Sequence, residues 1–370
     1  MGATVLVLNA GSSTLKYAAY RAEDHGALTA LVRGKIEGDA LDPVAEVLER
    51  HLDGGSPSAV GHRIVHGGAD FVGPTPVDES VLAALEGLVP LDPLHQPRSL
   101  GVLRAARACY PSALHVACFD TSFHRGHPEV ADVVALPRAL REAGVRRYGF
   151  HGLSYEYVAR RLSELDPGVA KGRVVAAHLG NGASLCALRD GKSVDSTMTF
   201  TALDGLVMST RPGSLDAGVV LWLLDRGWDR ERIARLLWKE SGLVALSEKS
   251  ADLRDILAER TPSSRLAVDV FVYTAVKHAA AMTAALGGLD GLVFTAGIGE
   301  NQPETRRRIA EGLSFLGVAL DEEANRRNDI RIGAPGARVP TFVIPTDEEH
   351  VISRHTLAAL HKEDPAREPA

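Results

Sequence analysis

Short apolar runs recur along the chain, separated by small polar turns and by segments whose apolar positions return every three or four residues. The runs predict strands at residues 4–8, 15–20, 28–36, 59–65, 113–119, 173–177, 185–189, 289–295 and 341–344. The longer spacing predicts helices at 42–52, 79–88, 98–109, 216–226, 229–240, 250–259, 264–286 and 347–361, with two more starting near 154 and 302. Strands and helices mixed throughout imply α/β layers. At 370 residues the chain exceeds what one core usually fills, so two domains are expected.

The pattern also repeats. Residues 5–8, the turn Asn9-Ala10-Gly11-Ser12-Ser13 and Leu15 are echoed by residues 174–177, the turn from His178 to Ser184 and Leu185. Ordinary hairpins produce the same outline. Each turn, however, reads as longer and richer in Gly, Ser and Asn than a tight turn requires. Such turns offer backbone N–H groups and hydroxyls to an anion. One such hairpin per half suggests a duplicated domain closing around a nucleotide.

Composition narrows the class. There are 41 basic against 47 acidic residues, net −6, which argues against a nucleic-acid binder that relies on bulk charge. Cys109, Cys118 and Cys186 have no metal-binding spacing, and their odd number suits reduced thiols in a cytoplasmic protein. The first apolar run is too short for a signal peptide, and residues 268–298 are interrupted by charge, so no membrane partner is expected. The tail, residues 362–370, is polar and expected to fray. Glycine is in excess, 36 residues or about 10% against a usual ~7%, without a glycine-rich tract. These glycines therefore serve defined backbone positions.

Several segments combine such glycines with charge. Residues 9–16 lack the G-x-x-x-x-G-K pattern of a phosphate loop, and Lys16 alone reads as a solvated strand residue. On the strand expected at 59–65, alternation puts Arg63 and Val65 on one face and His62, Ile64 and His66 on the other. A guanidinium beside a small apolar side chain suits an anion with a short tail, and equally an edge-strand salt bridge. Asp120 ends a strand, where α/β folds place metal-binding carboxylates and where turns also begin. Gly149 and Gly152 free the backbone around Phe150 and His151; Phe150 also reads as a plug in a domain seam. Residues 197–218 form a long irregular segment carrying Arg211, a second anion clamp. Gly297, Ile298 and Gly299 follow a strand, a weak nucleotide signal, while Asn301 with Glu304 reads as a helix capping box. Thr346 with Glu349 reads the same way, which leaves Glu348 as the candidate metal-side carboxylate.

Seven motifs, NAGSSTLK, GHRIVHGG, FDTSFH, RRYGFHG, HLGNGAS, TAGIGEN and IPTDEE, occur in one order across nearly the whole chain. In that order they resemble the acetate kinase family, the acetokinase branch of the sugar kinase and actin superfamily. The resemblance implies two duplicated actin-like, ribonuclease H-like α/β domains, each with a mixed β-sheet flanked by helices and an active site in the cleft between them. The last helix would return to the first domain, giving an N-terminal domain of residues 1–121 plus 350–370 and a nucleotide-binding domain of residues 122–349. The implied enzyme is a phosphotransferase with a carboxyl acceptor: a cytoplasmic homodimer interconverting ATP plus acetate with ADP plus acetyl phosphate, with Mg²⁺, or Mn²⁺ in its place.

By position, the resemblance makes Arg63 and Arg211 the clamps on the carboxylate and the moving phosphoryl group, and His151 a hydrogen-bond donor to that group. Asp120 and Glu348 match magnesium-side acids, and Asn9 shares the metal site. Val65, Leu94 and Phe150 line the methyl pocket, and His95 lines the mouth of the cleft. Asn9, Ser12, Thr14, Lys16, His178, Gly180, Asn181 and Gly182 match phosphate loops. Asp252, Leu253 and Arg254 match an adenine-side segment, and Gly297, Ile298, Gly299 and Asn301 a nucleoside loop.

This chain departs from the family pattern in one stretch. Ala202 and Asp204 stand where Pro and Glu are usual, Ser209 and Ser214 replace Gly and Asp, and Ala217 replaces Pro. The supports of Arg211 are thereby put in question, and a longer acid such as propionate becomes a candidate substrate. A nucleotide-dependent switch of the same superfamily would keep the phosphate hairpins but would not need Arg63, His151 and Arg211.

Overall fold

The computed structural model describes residues 2–11, 14–23, 27–37, 45–46, 51 and 56–363. Ser12, most of the expected helix at 42–52 and the tail from residue 364 lie outside the described residues. The chain divides into two compact units, Met1–Arg125 with Asp347–Ala370, and Gly126–Thr346.

Unit 1 is built on strands β1 (Thr4–Ala10), β2 (Thr14–Ala22), β3 (Leu28–Glu37), β4 (Ala59–Ile64), β5 (Thr75–Pro76) and β6 (Leu114–Phe119), in the order β3-β2-β1-β4-β6-β5. The first three form an antiparallel meander, and β1, β4 and β6 are mutually parallel. Helices α1 (Glu79–Gly87) and α2 (Gln96–Cys109) cover one face, where Leu82, Leu85, Leu100 and Leu103 pack on Ile64, Ala117 and Phe119. Val102 and Ala106 of α2 meet Leu6, Leu8 and Val60. The last helix, Glu348–Glu363, packs on β1, β4 and β6. Its approach explains Gly61, where a Cβ would stand 2.2 Å from Thr356 Oγ1 and 2.6 Å from Ile352 Cγ2.

Unit 2 repeats the plan. Strands β7 (Arg173–Leu179), β8 (Ala183–Arg189) and β9 (Lys192–Ser196) form an antiparallel meander, and β10 (Gly291–Thr295) and β11 (Thr341–Val343) add in parallel beside β7, in the order β11-β10-β7-β8-β9. Helices α3 (Gly152–Leu165), α4 (Pro262–Leu286), α5 (Ala296–Asn301) and α6 (Pro303–Gly312) are among those flanking this sheet. Each unit thus opens with a three-strand meander whose first strand then gains parallel neighbours. The sequence echo marks the same hairpin in both sheets.

The structure corrects four local expectations. The hairpin turns are short: Ala10 pairs with Leu15 and Gly11 N donates to Thr14 O, while Leu179 pairs with Ala183 and Gly180 N donates to Gly182 O. The strands extend through residues that composition alone assigns to turns. Second, Gly297 and Gly299 lie inside α5 rather than in a loop ahead of a helix, because Ala296, at φ 64°, swings the backbone out of β10 at once. Third, α6 starts anew at Pro303, which needs no N–H there, so Asn301 is the end of α5 and not a cap. Fourth, Asp347 caps the last helix by accepting from His350 N at 3.0 Å, which frees Thr346 and Glu349 from that duty.

The imidazoles of His62 and His66 in unit 1 are fully buried. Burial holds His62 well below its ordinary pKa, with His115 adding to the effect, and takes His66 down to about 4. His66 Nδ1 accepts from Gly68 N at 2.9 Å, the arrangement of a neutral ring. An unfolded imidazole titrates near its usual value of about 6.5, so the unfolded chain binds more protons below that pH. Stability is therefore complete above neutrality and lost as pH falls. Between about pH 7.5 and about pH 5 the loss should reach roughly 2 kcal/mol or more. Urea unfolding at the two pH values measures it; coincident midpoints would mean that both rings titrate normally.

Candidate functional site

Because β1, β4 and β6 are parallel neighbours, their C-terminal ends lie side by side, the usual ligand-facing edge of an open α/β sheet. Asn9, Arg63 and Asp120 sit there. Arg63 grips Asp120 bidentately, with Nη2 to Oδ2 at 2.7 Å and Nε to Oδ1 at 3.2 Å. Its Nη1 donates to Asn9 Oδ1 at 3.3 Å, and Glu348 Oε2 stands 3.9 Å from Nε. Asn9 Nδ2 donates to Glu348 Oε2 at 3.0 Å and to Glu349 Oε1 at 2.7 Å. Burial opposes the charge on Arg63, but Asp120 and Glu348 outweigh it and hold the guanidinium ionised. On Asp120 burial is the larger influence and pushes the carboxyl up against the pull of Arg63. The result is a permanent cation ringed by oxygen acceptors.

Unit 2 assembles a second constellation. His151 caps α3 in a left-handed conformation (φ 57°), which carries its ring toward the β7–β8 turn. A non-glycine residue held there marks a site where surrounding contacts outweigh local strain. The rings of His151 and His178 stack at 4.0 Å and 16°. A Cβ at Gly182 would lie 3.2 Å from His151 Nε2 and 3.1 Å from Arg211 Nη2, so any side chain here would crowd both groups. An imidazole nitrogen and a guanidinium nitrogen thus converge on the β7–β8 turn.

The altered stretch around Arg211 is tightly knit. Arg211 Nη1 donates to Ala202 O at 2.8 Å, and Ser209 N donates to Asn181 O at 3.1 Å, tying the segment to the β7–β8 turn. Asp204 accepts from Thr199 Oγ1 at 2.7 Å and from Ser214 Oγ at 2.8 Å. Two of the residues that depart from the family pattern, Asp204 and Ser214, are therefore partners of one another.

The other candidates fall into place one by one. Thr14 closes the β1–β2 turn, and Lys16 is exposed on β2. Val65 and Phe150 are buried, while Leu94 and His95 are half-buried, His95 Nδ1 lying 3.0 Å from Asp92 Oδ1. His178, inside β7, reaches Ser154 Oγ at 2.9 Å. Asp252 caps the short helix Leu253–Ala258 and pairs with Arg254 at 2.6 Å, and Leu253 is core. Gly297 is exposed with open space where a Cβ would be, Ile298 is half-buried, Gly299 is buried, and Asn301 Nδ2 donates back to Gly297 O. Among the described residues no group of three His, Cys, Asp or Glu side chains is placed to hold a metal ion.

Sequence reasoning missed Glu349, Ser154, Tyr155, Ser184 and Arg306. Among the described residues Arg306 is fully buried with no carboxylate partner, and its hydrogen bonds go to Asn325 Oδ1 and O, Asn328 Oδ1 and the Gly299 and Glu300 carbonyls. It holds the C-terminal turn of α5, where carbonyls lack helical partners. Helical phase is the only signal that distinguishes it from Arg307, which bridges Glu304 at the surface.

The ion pair at the end of β4 makes a stability prediction. Asp120→Ala leaves a half-buried guanidinium without its bidentate partner and should cost about 3 kcal/mol. Urea denaturation reads the loss; a change below about 1 kcal/mol would mean that Glu348 and Asn9 suffice.

Comparison with known proteins places these features. A model of the acetokinase family matches residues 34–354. Acetate kinase from Nitrobacter hamburgensis is 46% identical, the match covering 96% of both chains. The crystal structure of Porphyromonas gingivalis acetate kinase superposes with a TM-score of 0.86 at 34% identity over 97% of this chain and 100% of that one. A propionate kinase from Francisella tularensis superposes with a TM-score of 0.85 at 31% identity, over 96% and 99%. With two mixed sheets of one plan, the motifs in order and these relatives at near full length, the chain belongs to the acetokinase family.

Proposed function

We propose that this protein is an acetate kinase that transfers the γ-phosphoryl group of ATP reversibly and directly to acetate. The observation that carries the reading is the convergence of His151 Nε2 and Arg211 Nη2 on Gly182. A loose phosphoryl-transfer transition state spreads negative charge over equatorial oxygens and needs aligned donors more than a base. Acetate is already anionic. Its carboxylate oxygen forms the new bond to phosphorus as the bond to the β–γ bridging oxygen breaks, and ADP leaves.

In this reading Arg63 and Arg211 hold the carboxylate and the moving phosphoryl group, and His151 donates to the latter. The β1–β2 and β7–β8 turns hold phosphates, through Asn9, Ser12, Thr14 and Lys16 and through His178 and residues 180–182. Residues 252–254 and 297–301 serve adenine and ribose. Val65, Leu94 and Phe150 face the methyl group, with His95 beside them. Asp120 keeps Arg63 aligned. Asn9 and Glu348 would hold Mg²⁺; one carboxylate and one amide suit an ion that takes the rest of its shell from phosphates and water. Such an ion supplies charge neutralisation on the nucleotide when bound.

A homodimer is part of the same proposal. Helix Ala217–Leu224 exposes Leu221, Trp222 and Leu224, with Leu215 just before it, a contiguous apolar stretch suited to a second copy. Among the described residues no helix is long and apolar enough to cross a membrane.

Purified protein with ATP, Mg²⁺ and acetate should form acyl phosphate detectable as the hydroxamate. Arg63→Ala or Arg211→Ala should each lose roughly 3 kcal/mol or more of transition-state stabilisation. No product from any short carboxylate would favour a nucleotide-dependent switch, and near-normal turnover in either variant would sink that residue's assignment.

Acid preference is a separate test. Ala202, in place of a bulkier Pro, is buried beside Arg211. One methylene is worth about 1–3 kcal/mol of discrimination, so one wall residue matters. Propionate should be used better than by a typical acetate kinase; kcat/KM for acetate, propionate and butyrate measures it, and a strong acetate preference defeats the idea.

A further inference from the structure

We infer that Ser184 and Tyr155 are positioning residues that hold His151 as a neutral ring with its proton on Nε2, aimed at the Gly182 turn. The inference rests on the reading of His151 as a donor to the phosphoryl group, and deepens it by assigning which proton is donated and what places it there.

Ser184 is fully buried on β8, and its Oγ lies 2.8 Å from His151 Nδ1 and 2.5 Å from Tyr155 Oη. Tyr155 sits on α3 one turn after His151 and is also fully buried. Burial holds its hydroxyl well above the ordinary range, so the phenol keeps its proton at every working pH. The backbone N–H of His178 hydrogen-bonds to the same phenolic oxygen. Of the two hydroxyls the phenol is the more acidic and the better donor. Its proton therefore points to Ser184 Oγ, and the single serine proton is left for His151 Nδ1. An imidazole that accepts at Nδ1 carries its proton on Nε2.

The surroundings agree with a neutral ring. A Cβ at Gly182 would lie within 3.2 Å of both His151 Nε2 and Arg211 Nη2, so these groups are close neighbours. A guanidinium nearby disfavours an imidazolium. The stacked His178 ring, at 4.0 Å, fixes the plane of His151. His178 Nδ1 is itself engaged by Ser154 Oγ at 2.9 Å, which in turn contacts Thr346 Oγ1 at 2.9 Å. Arg211 then supplies the positive charge and His151 a directed N–H, with no proton to be gained or lost during turnover.

The test is heteronuclear NMR of the full-length enzyme carrying labelled histidine, with the His151 resonances assigned by their loss in His151→Gln. The wild-type enzyme should show the Nε2–H tautomer, and Ser184→Ala should populate the Nδ1–H or charged form. Tyr155→Phe should do so partially. In both variants kcat should fall roughly tenfold or more while KM for ATP and for acetate stays within about twofold. An Nδ1–H tautomer in the wild type, which needs no substitution to observe, overturns the inference, as does an unchanged tautomer in a folded Ser184→Ala enzyme. Near-normal kcat in His151→Gln would instead remove the phosphoryl-donor role while leaving the tautomer assignment standing, so the two failures are distinguishable.

Discussion

Drawing a guanidinium largely out of water costs less when carboxylates stand beside it, and much of unit 1 is arranged to supply them to Arg63. Its surroundings come from three places: Asn9 on β1, Asp120 after β6, and Glu348 at the start of the last helix, where Glu349 joins through Asn9. None of these is near Arg63 in the chain. They meet because the parallel arrangement of β1, β4 and β6 puts three strand ends in a row, and because the chain comes back to this unit after Thr346. The return is itself enforced by packing, since Gly61 leaves room for Thr356 and Ile352 to lie directly on β4.

Unit 2 solves a different problem with the same sheet. Here the groups to be oriented are an imidazole and a guanidinium facing a glycine turn. The devices are a left-handed residue at a helix start, a ring stack and a buried chain of hydroxyls. Buried hydroxyls that hydrogen-bond to one another and to a neighbouring ring leave little freedom in where their protons point. Arg306 does similar work at the end of α5 through carbonyls and amides alone, which makes it a support for backbone and not a neutraliser of charge.

Much of this was legible before the structure. Arg63 and Asp120 stand out because charge on or at the end of an apolar run is conspicuous, Asn9 and Gly182 because they lie in small polar turns, Glu348 because a capping box leaves it over, and His151 because Gly149 and Gly152 bracket it. Glu349 was hidden by a pattern that also makes a capping box with Thr346; the cap went to Asp347, whose side chain reaches the N–H three residues on. The short turns and the immediate start of α5 escaped because strand length depends on cross-strand pairing, which no local pattern reports. Tyr155 and Ser184 gave no signal, since each is an ordinary residue of its own element and acquires its role from the other.

The sequence by itself determined the alternation of strands and helices, the repeated hairpin, the family and the side chains able to carry anion chemistry. Those follow from local backbone preference, side-chain chemistry and motif order, all of which act within a few residues of the chain. Only the tertiary structure decided which acid neutralises Arg63, which arginine of the triplet at 306–308 is buried, and which nitrogen of His151 faces the glycine turn. Those outcomes depend on desolvation and on donor–acceptor pairing between elements far apart in the chain, and they exist only once the sheets have assembled.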